Sequence, residues 1–384
     1  MINFTYQCPT EIIFGKDTQA LVGEKARRFS KKALLVYGGG SIKRSGLYDQ
    51  VVESLHEAGV EFLELGGVQP NPRLALVHQG IELCRQEQIG LLLAVGGGSA
   101  IDTAKAIAVG VNYGGDVWDL FMGTKSDHQA LPVGVVLTIP AAGSETSYSV
   151  VITKEDGLIK KGLSDNRVRP QFAILNPELT YTLPFYQTAC GVSDMLAHVM
   201  ERFFTQTSYT DVSDRICEGV MRSILNLAPR LKENPNDYEL RANIMWAGTL
   251  AHNGILGMGR EEDWGSHGIE HELSAIYDIA HGAGLSIVFP AWMKYVYKEN
   301  TARFLQFAVR VMDVDWEFGD TDAIILEAIR RLEDFYRAME LPVRLSEVGI
   351  DSSRFQEMAD KCAPRGHFKV MNAQDIVKIY QLAQ

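Results

Sequence analysis

The sequence predicts a doubly wound, parallel α/β sheet in its first half and an all-helical domain in its second. Three observations point there. Short apolar runs alternate with amphipathic stretches as far as residue 175, the rhythm of successive β-α-β units. Two of those runs end in glycine turns, Gly38-Gly39-Gly40-Ser41 and Gly96-Gly97-Gly98-Ser99. Beyond Pro184 strand-like runs become few and helical periodicity takes over. At 384 residues the chain suits two domains, and the change of pattern places them at 1–180 and 181–384.

In order, Ala33–Tyr37 reads as a strand ending in the first glycine turn, and Leu47, Val51, Val52, Leu55 and Ala58 share one helix face. Glu61–Leu65 is the next strand. Asn71-Pro72 opens a helix to about Gln88, with proline near the first helical position, where its missing N–H does no harm. Ile89–Val95 is apolar on both pleat faces, as a central parallel strand must be, and Ala100–Val109 reads as a helix with Asp102 in its first turn. Pro132–Ile139 and Phe172–Leu175 are further strands. The C-terminal helices are expected at about 185–207, 211–231, 237–257, 266–277, 283–297, 320–339 and 372–383.

Composition narrows the function classes. Net charge is −11, from 37 basic and 48 acidic residues, which opposes a nucleic-acid surface. The longest mostly apolar run, Leu131 to Gly143, is broken by Pro132, Thr138 and Pro140 and is shorter than the roughly 18–20 residues that span a bilayer. Glu11 and Lys16 interrupt any signal-like start. Five scattered cysteines without a CxxC read as reduced thiols. A cytoplasmic enzyme without nucleic-acid or membrane partners is the expectation.

The glycine turns suggest a nucleotide. In open α/β sheets, ligands sit at the carboxyl ends of the strands, where glycine lets backbone N–H groups approach a phosphate and the next helix N-terminus favours negative charge. GxGxxG spacing is absent: Lys43 and Ile101 stand where its third glycine would be. Two tight strand–helix turns without a ligand are the plain alternative. At the first turn Lys43 and Arg44 follow Ser41, and no carboxylate appears until Asp49, so a 2′-phosphate is accommodated better than a bare ribose. NADP(H) is therefore expected over NAD(H).

Histidines suggest a metal. Five of the nine, His198, His252, His267, His271 and His281, fall within residues 198–281. Asp194 and His198 are spaced i, i+4 on one helix face, His267 and His271 likewise, and His281 follows in the turn Ala280-His281-Gly282. One carboxylate with three imidazoles suits Fe(II) or Zn(II). Spacing does not choose among His267, His271 and His281.

Several longer stretches resemble the iron-containing (group III) alcohol dehydrogenases, in the branch of butanol dehydrogenases and NADPH-dependent aldehyde reductases. They are YGGGSIKRSG (37–46), QPNP (69–72), AVGGGSAIDTAKAIA (94–108), LTIPAAGSE (137–145), GVSDMLAHVME (191–201) and DWGSHGIEHELSAIYDIAHGAGLSIVFPAWM (263–293). The resemblance covers essentially the whole chain. It implies a Rossmann-like N-terminal domain, a cofactor cleft between the domains, a homodimer, and Asp194, His198, His267 and His281 as metal ligands. It leaves His271 unligated near the nicotinamide and substrate, as the candidate catalytic group that relays a proton or orients its neighbours. The matching cofactor positions are Gly38, Gly39, Gly40, Ser41, Asn71, Gly96, Gly97, Gly98, Ser99, Asp102, Thr138, Ser147 and Lys160. One departure is Ala142 in Ala142-Gly143-Ser144-Glu145, where the family usually has threonine. Trp264 is a candidate wall of the substrate pocket.

The expected reaction is reduction of short- to medium-chain aldehydes to primary alcohols, with the metal as Lewis acid and the coenzyme as hydride donor. An NAD-dependent polyol dehydrogenase would share the fold but favour a carboxylate near Ser41. A metal-dependent hydrolase could use the same Asp and His set and would have no use for the glycine turns. A nucleotide-binding regulator would hold the coenzyme without a metal.

Overall fold

The computed structural model describes residues 1–316 and 320–384. Two compact units form. One comprises Gln7–Leu183 with Asn236–Met245, the other Met1–Tyr6, Pro184–Pro235 and Trp246–Gln384.

The first unit is built on six parallel strands, β1 (Glu11–Phe14), β2 (Lys32–Tyr37), β3 (Glu61–Leu65), β4 (Leu91–Gly96), β5 (Val133–Leu137) and β8 (Phe172–Leu175), in the order β1-β8-β5-β4-β2-β3. β6 (Ser149–Lys154) and β7 (Ile159–Ser164) form a separate antiparallel hairpin. Helices α1 (Val22–Arg27), α2 (Ser41–Arg44), α3 (Leu47–Glu57), α4 (Leu74–Glu87), α5 (Gly98–Gly110) and α6 (Val117–Phe121) complete the unit. Leu34 and Val36 of β2 and Leu92 and Ala94 of β4 pack with Val77 and Ile81 of α4 and Ala104 and Ile107 of α5. The alternate residues Ala33, Leu35, Leu91, Leu93 and Val95 pack with Ala26 of α1 and Val51 and Leu55 of α3. Both faces are covered, which is why these strands read as unbroken apolar runs.

The strand order reverses between β2 and β4: from β2 the chain goes to β3 on one side, and from β4 it goes to β5 on the other. The two glycine turns end the two strands that flank this switch point, the position where open α/β sheets bind ligands.

The second unit is helical: α7 (Phe185–Phe203), α8 (Asp211–Leu227), the end of α9 (Tyr238–His252), α10 (Gly265–Tyr277), α11 (His281–Val296), α12 (Thr301–Arg310), α13 (Thr321–Ala338), α14 (Phe355–Cys362) and α15 (Ala373–Leu382). Trp292, Phe203, Phe204, Phe289, Phe304 and Phe307 form a fully buried aromatic centre. α7 is buried almost all round from Thr188 onward, so polar side chains on it need internal partners. No helix among the described residues is long and apolar enough to cross a membrane.

Several boundaries differ from the sequence expectation. The helix opened by Asn71-Pro72 begins only at Leu74, because Asn71 adopts a left-handed φ of 53°. The helix expected to 207 stops at Phe203, where Phe204 turns extended. His281 is not in a turn; it is the first residue of α11.

Candidate active site

Asp194 and His198 lie one helical turn apart on α7, and His267 comes from α10 and His281 from the start of α11. Their side chains converge: Nε2 of His198, His267 and His281 stands 3.2, 3.7 and 3.8 Å from Asp194 Oδ1. Donors held about 2.0–2.1 Å from one tetrahedral ion stand about 3.3–3.4 Å apart, so these spacings suit a shared ion. Asp194 Oδ1 and His267 Nε2 are buried without a hydrogen-bond partner. Orphaned buried polar atoms are rare in folded proteins, and a cation would satisfy both. Burial opposes the Asp194 charge, yet His198, His267 and His281 hold its carboxyl well below the usual range. Burial pushes His198 down to about 4, whereas bonds to Asp194 and Glu201 outweigh burial and raise His267 to about 9. The donors of Asp194, His267 and His281 lie within 4.8 Å of one another and fit one divalent ion, with His198 Nε2 beside them at 3.2 Å from Asp194 Oδ1.

Two carboxylates that the sequence reading missed orient these ligands. Glu201, fully buried one turn beyond His198, accepts from His267 Nδ1 at 2.9 Å, from the His267 backbone N–H at 3.0 Å and from Ser266 Oγ at 2.8 Å. Glu270 Oε2 meets His281 Nδ1, and Ser274 Oγ donates to Glu270 Oε1. Each carboxylate claims the Nδ1 proton and so leaves Nε2 as the free donor. Gly284 is required beside Glu270, since a Cβ there would lie 2.4 Å from Glu270 Oε1. The signal in the sequence was the face itself: Asp194, His198 and Glu201 are spaced i, i+4, i+7. Glu201→Gln is expected to weaken divalent-metal binding about 10–100-fold, read by competition with a chromogenic chelator.

Around this centre Trp264 packs its ring edge-on to His198, His252 and His267, with centroids at 5.6, 5.5 and 5.2 Å. Its left-handed φ of 62° and the bond from Nε1 to Glu262 Oε2 fix that pose. Buried Arg202 lies over the Trp264 ring and donates to His252 Nδ1 at 3.0 Å. His252 also lies against His198, with ring centroids 4.1 Å apart and planes tilted by 48°. His271 lies beside His281, with ring centroids 5.5 Å apart, and groups with Glu270 and His281 within 4.8 Å.

In the first unit, the remaining candidates gather at the carboxyl edge of the sheet. Gly38, Gly39, Gly40 and Ser41 follow β2, Gly96, Gly97, Gly98 and Ser99 join β4 to α5, and Thr138 follows β5, its N–H donating to Gly96. α5 begins at Gly98 with no side chain capping it, so its first amides are open to an anion. A Cβ at Gly39 would meet nothing within 4 Å, whereas one at Gly97 would press on Ile139 at 2.9 Å. The first turn thus presents open backbone, and the second needs glycine for packing too.

Other predicted positions are engaged inside the protein. Asn71 Oδ1 accepts from buried Lys160 at 3.0 Å. Asp102 accepts from Ser144 Oγ at 2.6 Å and from the Val151 N–H at 2.9 Å. Buried Ser147 lies against Lys105, whose Nζ donates to Ser144 Oγ, Ser147 O and Ser149 O at 2.9, 3.0 and 3.0 Å. Lys43, expected as a cation for a 2′-phosphate at the first turn, is paired with Glu64 at 3.0 Å, whereas Arg44 makes no ion pair among the described residues.

Residues 9–177 match the family described as iron-containing alcohol dehydrogenase, and residues 188–384 match its Fe-containing C-terminal family. The chain is 46% identical, over 99% of both chains, to a probable NADH-dependent butanol dehydrogenase 1 of Bacillus subtilis. It is 36% identical, over 100% of both, to the NADPH-dependent aldehyde reductase YqhD of Escherichia coli. A crystal structure of an NADH-dependent butanol dehydrogenase A from Thermotoga maritima superposes with a TM-score of 0.96 at 42% identity, covering 100% of this chain and 99% of that one. With both halves matched and full-length relatives above 30% identity, the chain belongs to the iron-containing alcohol dehydrogenase family.

Proposed function

We propose that this enzyme reduces short- to medium-chain aldehydes to primary alcohols, and runs the reverse oxidation, with Asp194, His198, His267 and His281 as ligands of one Fe(II) or Zn(II). The observation that carries the reading is the convergence of three imidazole nitrogens on the orphaned Asp194 oxygen. Residues 1–180 serve as the dinucleotide domain and 181–384 as the metal-binding domain, in a cytoplasmic homodimer. The five free cysteines support a reducing compartment.

When bound, the ion supplies Lewis acidity at the carbonyl oxygen and the nicotinamide supplies the hydride. The protein's own part is positional. Glu201 and Glu270 hold the Nδ1 protons of His267 and His281, so both rings present Nε2 inward. Trp264 packs edge-on to His198 and His267 and so forms a wall on one side of the donor set. His271, beside His281, is the group placed to pass a proton to the product oxygen, directly or through one water. The amides at the start of α5 take the pyrophosphate, and Gly38, Gly39, Gly40 and Ser41 take the adenosine ribose.

Both NADH and NADPH are used in this reading. The NADP(H) preference expected from Lys43 and Arg44 rests on Arg44 and the turn amides, because Lys43 is paired.

The test is absorbance at 340 nm with butanal and either coenzyme, before and after chelation and metal add-back. Aldehyde-dependent loss that vanishes with the chelator and returns with Fe(II) or Zn(II) is expected. No turnover by metal-replete protein with either coenzyme overturns the aldehyde assignment.

A further inference from the structure

At the first glycine turn, four side chains from four elements meet in one cluster. Glu64, near the end of β3, accepts from Tyr37 at the end of β2 and from Tyr48 on α3, both at 2.5 Å, and from Lys43 on α2 at 3.0 Å. Lys43 Nζ also lies over both tyrosine rings, 5.1 and 4.5 Å from their centroids. The backbone fixes the cluster against the turn: Gly67 N–H donates to Gly38 O and Val68 N–H to Tyr37 O, both at 3.2 Å. Gly66 is required there, because a Cβ would lie 3.0 Å from the Tyr37 hydroxyl. Tyr37 and Tyr48, with Lys43, hold the Glu64 carboxyl at about 2, so it is charged throughout the neutral range.

We infer that Glu64 is a coenzyme-specificity residue: by holding Lys43 in an ion pair beside the Gly38–Ser41 turn, it withholds that cation from a 2′-phosphate and keeps NADH competitive with NADPH. The inference rests on the reading that this turn takes the adenosine ribose. Glu64 and Lys43 are both substantially exposed, so the pair is exchangeable, and its removal leaves the buried sheet intact. A 2′-phosphate approaching the turn meets a Lys43 whose charge is already answered by Glu64. A 2′-hydroxyl incurs no such penalty. If the cluster merely fastened β2 to β3, loosening it would affect both coenzymes alike.

The experiment uses metal-loaded wild type, Glu64→Gln, Lys43→Met and the double variant. Dissociation constants for NADH and NADPH are read from nicotinamide fluorescence, and kcat/KM for both is read with butanal. Glu64→Gln is expected to raise the NADPH-to-NADH ratio about 5–10-fold in both readouts, the scale of one released charge contact. Adding Lys43→Met should cancel that gain. A ratio within twofold of wild type in Glu64→Gln, or a gain that survives Lys43→Met, overturns the inference. The aldehyde assignment fails separately, as absent turnover with both coenzymes, while the binding ratio still decides the role of Glu64. Wild type that binds neither coenzyme overturns both readings.

Discussion

Asp194→Asn is expected to yield a folded protein that neither retains a divalent ion nor turns over butanal. The carboxylate is the one acidic member of the donor set, and the nitrogens of three imidazoles face its Oδ1 at 3.2, 3.7 and 3.8 Å. Asparagine keeps the volume but removes the charge that holds a dication among neutral rings. Lewis-acid stabilisation of a developing alkoxide is worth several kcal/mol, and about 1.4 kcal/mol is tenfold in rate, so kcat/KM should fall by at least about a thousandfold. Metal content by mass spectrometry and kcat/KM after reloading read the outcome. A variant that keeps one ion per chain and more than about a tenth of wild-type kcat/KM contradicts the ligand assignment.

Lys105→Met should produce the largest loss of stability. The Lys105 ammonium is fully buried and ties α5 to three points of the following chain, Ser144, Ser147 and Ser149. Methionine fills the space and leaves those acceptors unanswered, with Asp102 and Glu145 deprived of a compensating charge. Breaking a buried charge arrangement from one side is destabilising by about 3–5 kcal/mol. At about 2–4 °C per kcal/mol for a unit of this size, Tm should drop by about 6–20 °C. The segment that follows β5 would loosen, and coenzyme KM should rise more than kcat falls.

The same lysine has a pH signature. Burial pushes its pKa down from 10.5 to about 8, against the pull of Asp102 and Glu145. Between those two values the unfolded chain holds more protons than the folded one, so this group's contribution to stability rises as pH rises through the window. The wild-type advantage over Lys105→Met should widen from pH 8 to pH 9.5 by about 1 kcal/mol per unit, read from urea midpoints. An advantage that narrows over that range contradicts the assigned burial of charge.

The parts of the molecule legible in the sequence were those encoded locally. β2, β4 and β5 announce themselves because both pleat faces are covered. Asp194 and His198 read as a pair because one helical turn separates them. What escaped was nonlocal or short. β1 is four residues long and is recognisable only beside β8, some 160 residues away. The β6–β7 hairpin carried an Asp156-Gly157 turn signal that strand periodicity alone does not weigh. Lys43 read as a cation available to a 2′-phosphate because its partner, Glu64, reaches it only through the pairing of β2 with β3. Lys105 drew no reading from the sequence, because its three acceptors lie some forty residues downstream.

The central claim is a metal-dependent hydride transfer to an aldehyde carbon, and isotope transfer tests it most directly. Butanal would be reduced with reduced nicotinamide coenzyme carrying deuterium at both C4 positions, using metal-loaded, metal-stripped and Asp194→Asn protein, and the butanol analysed by mass spectrometry. One deuterium at C1 of butanol from the metal-loaded wild type, with none from the other two, is the expected result. Unlabelled butanol, or equal labelled product from stripped protein, would contradict it.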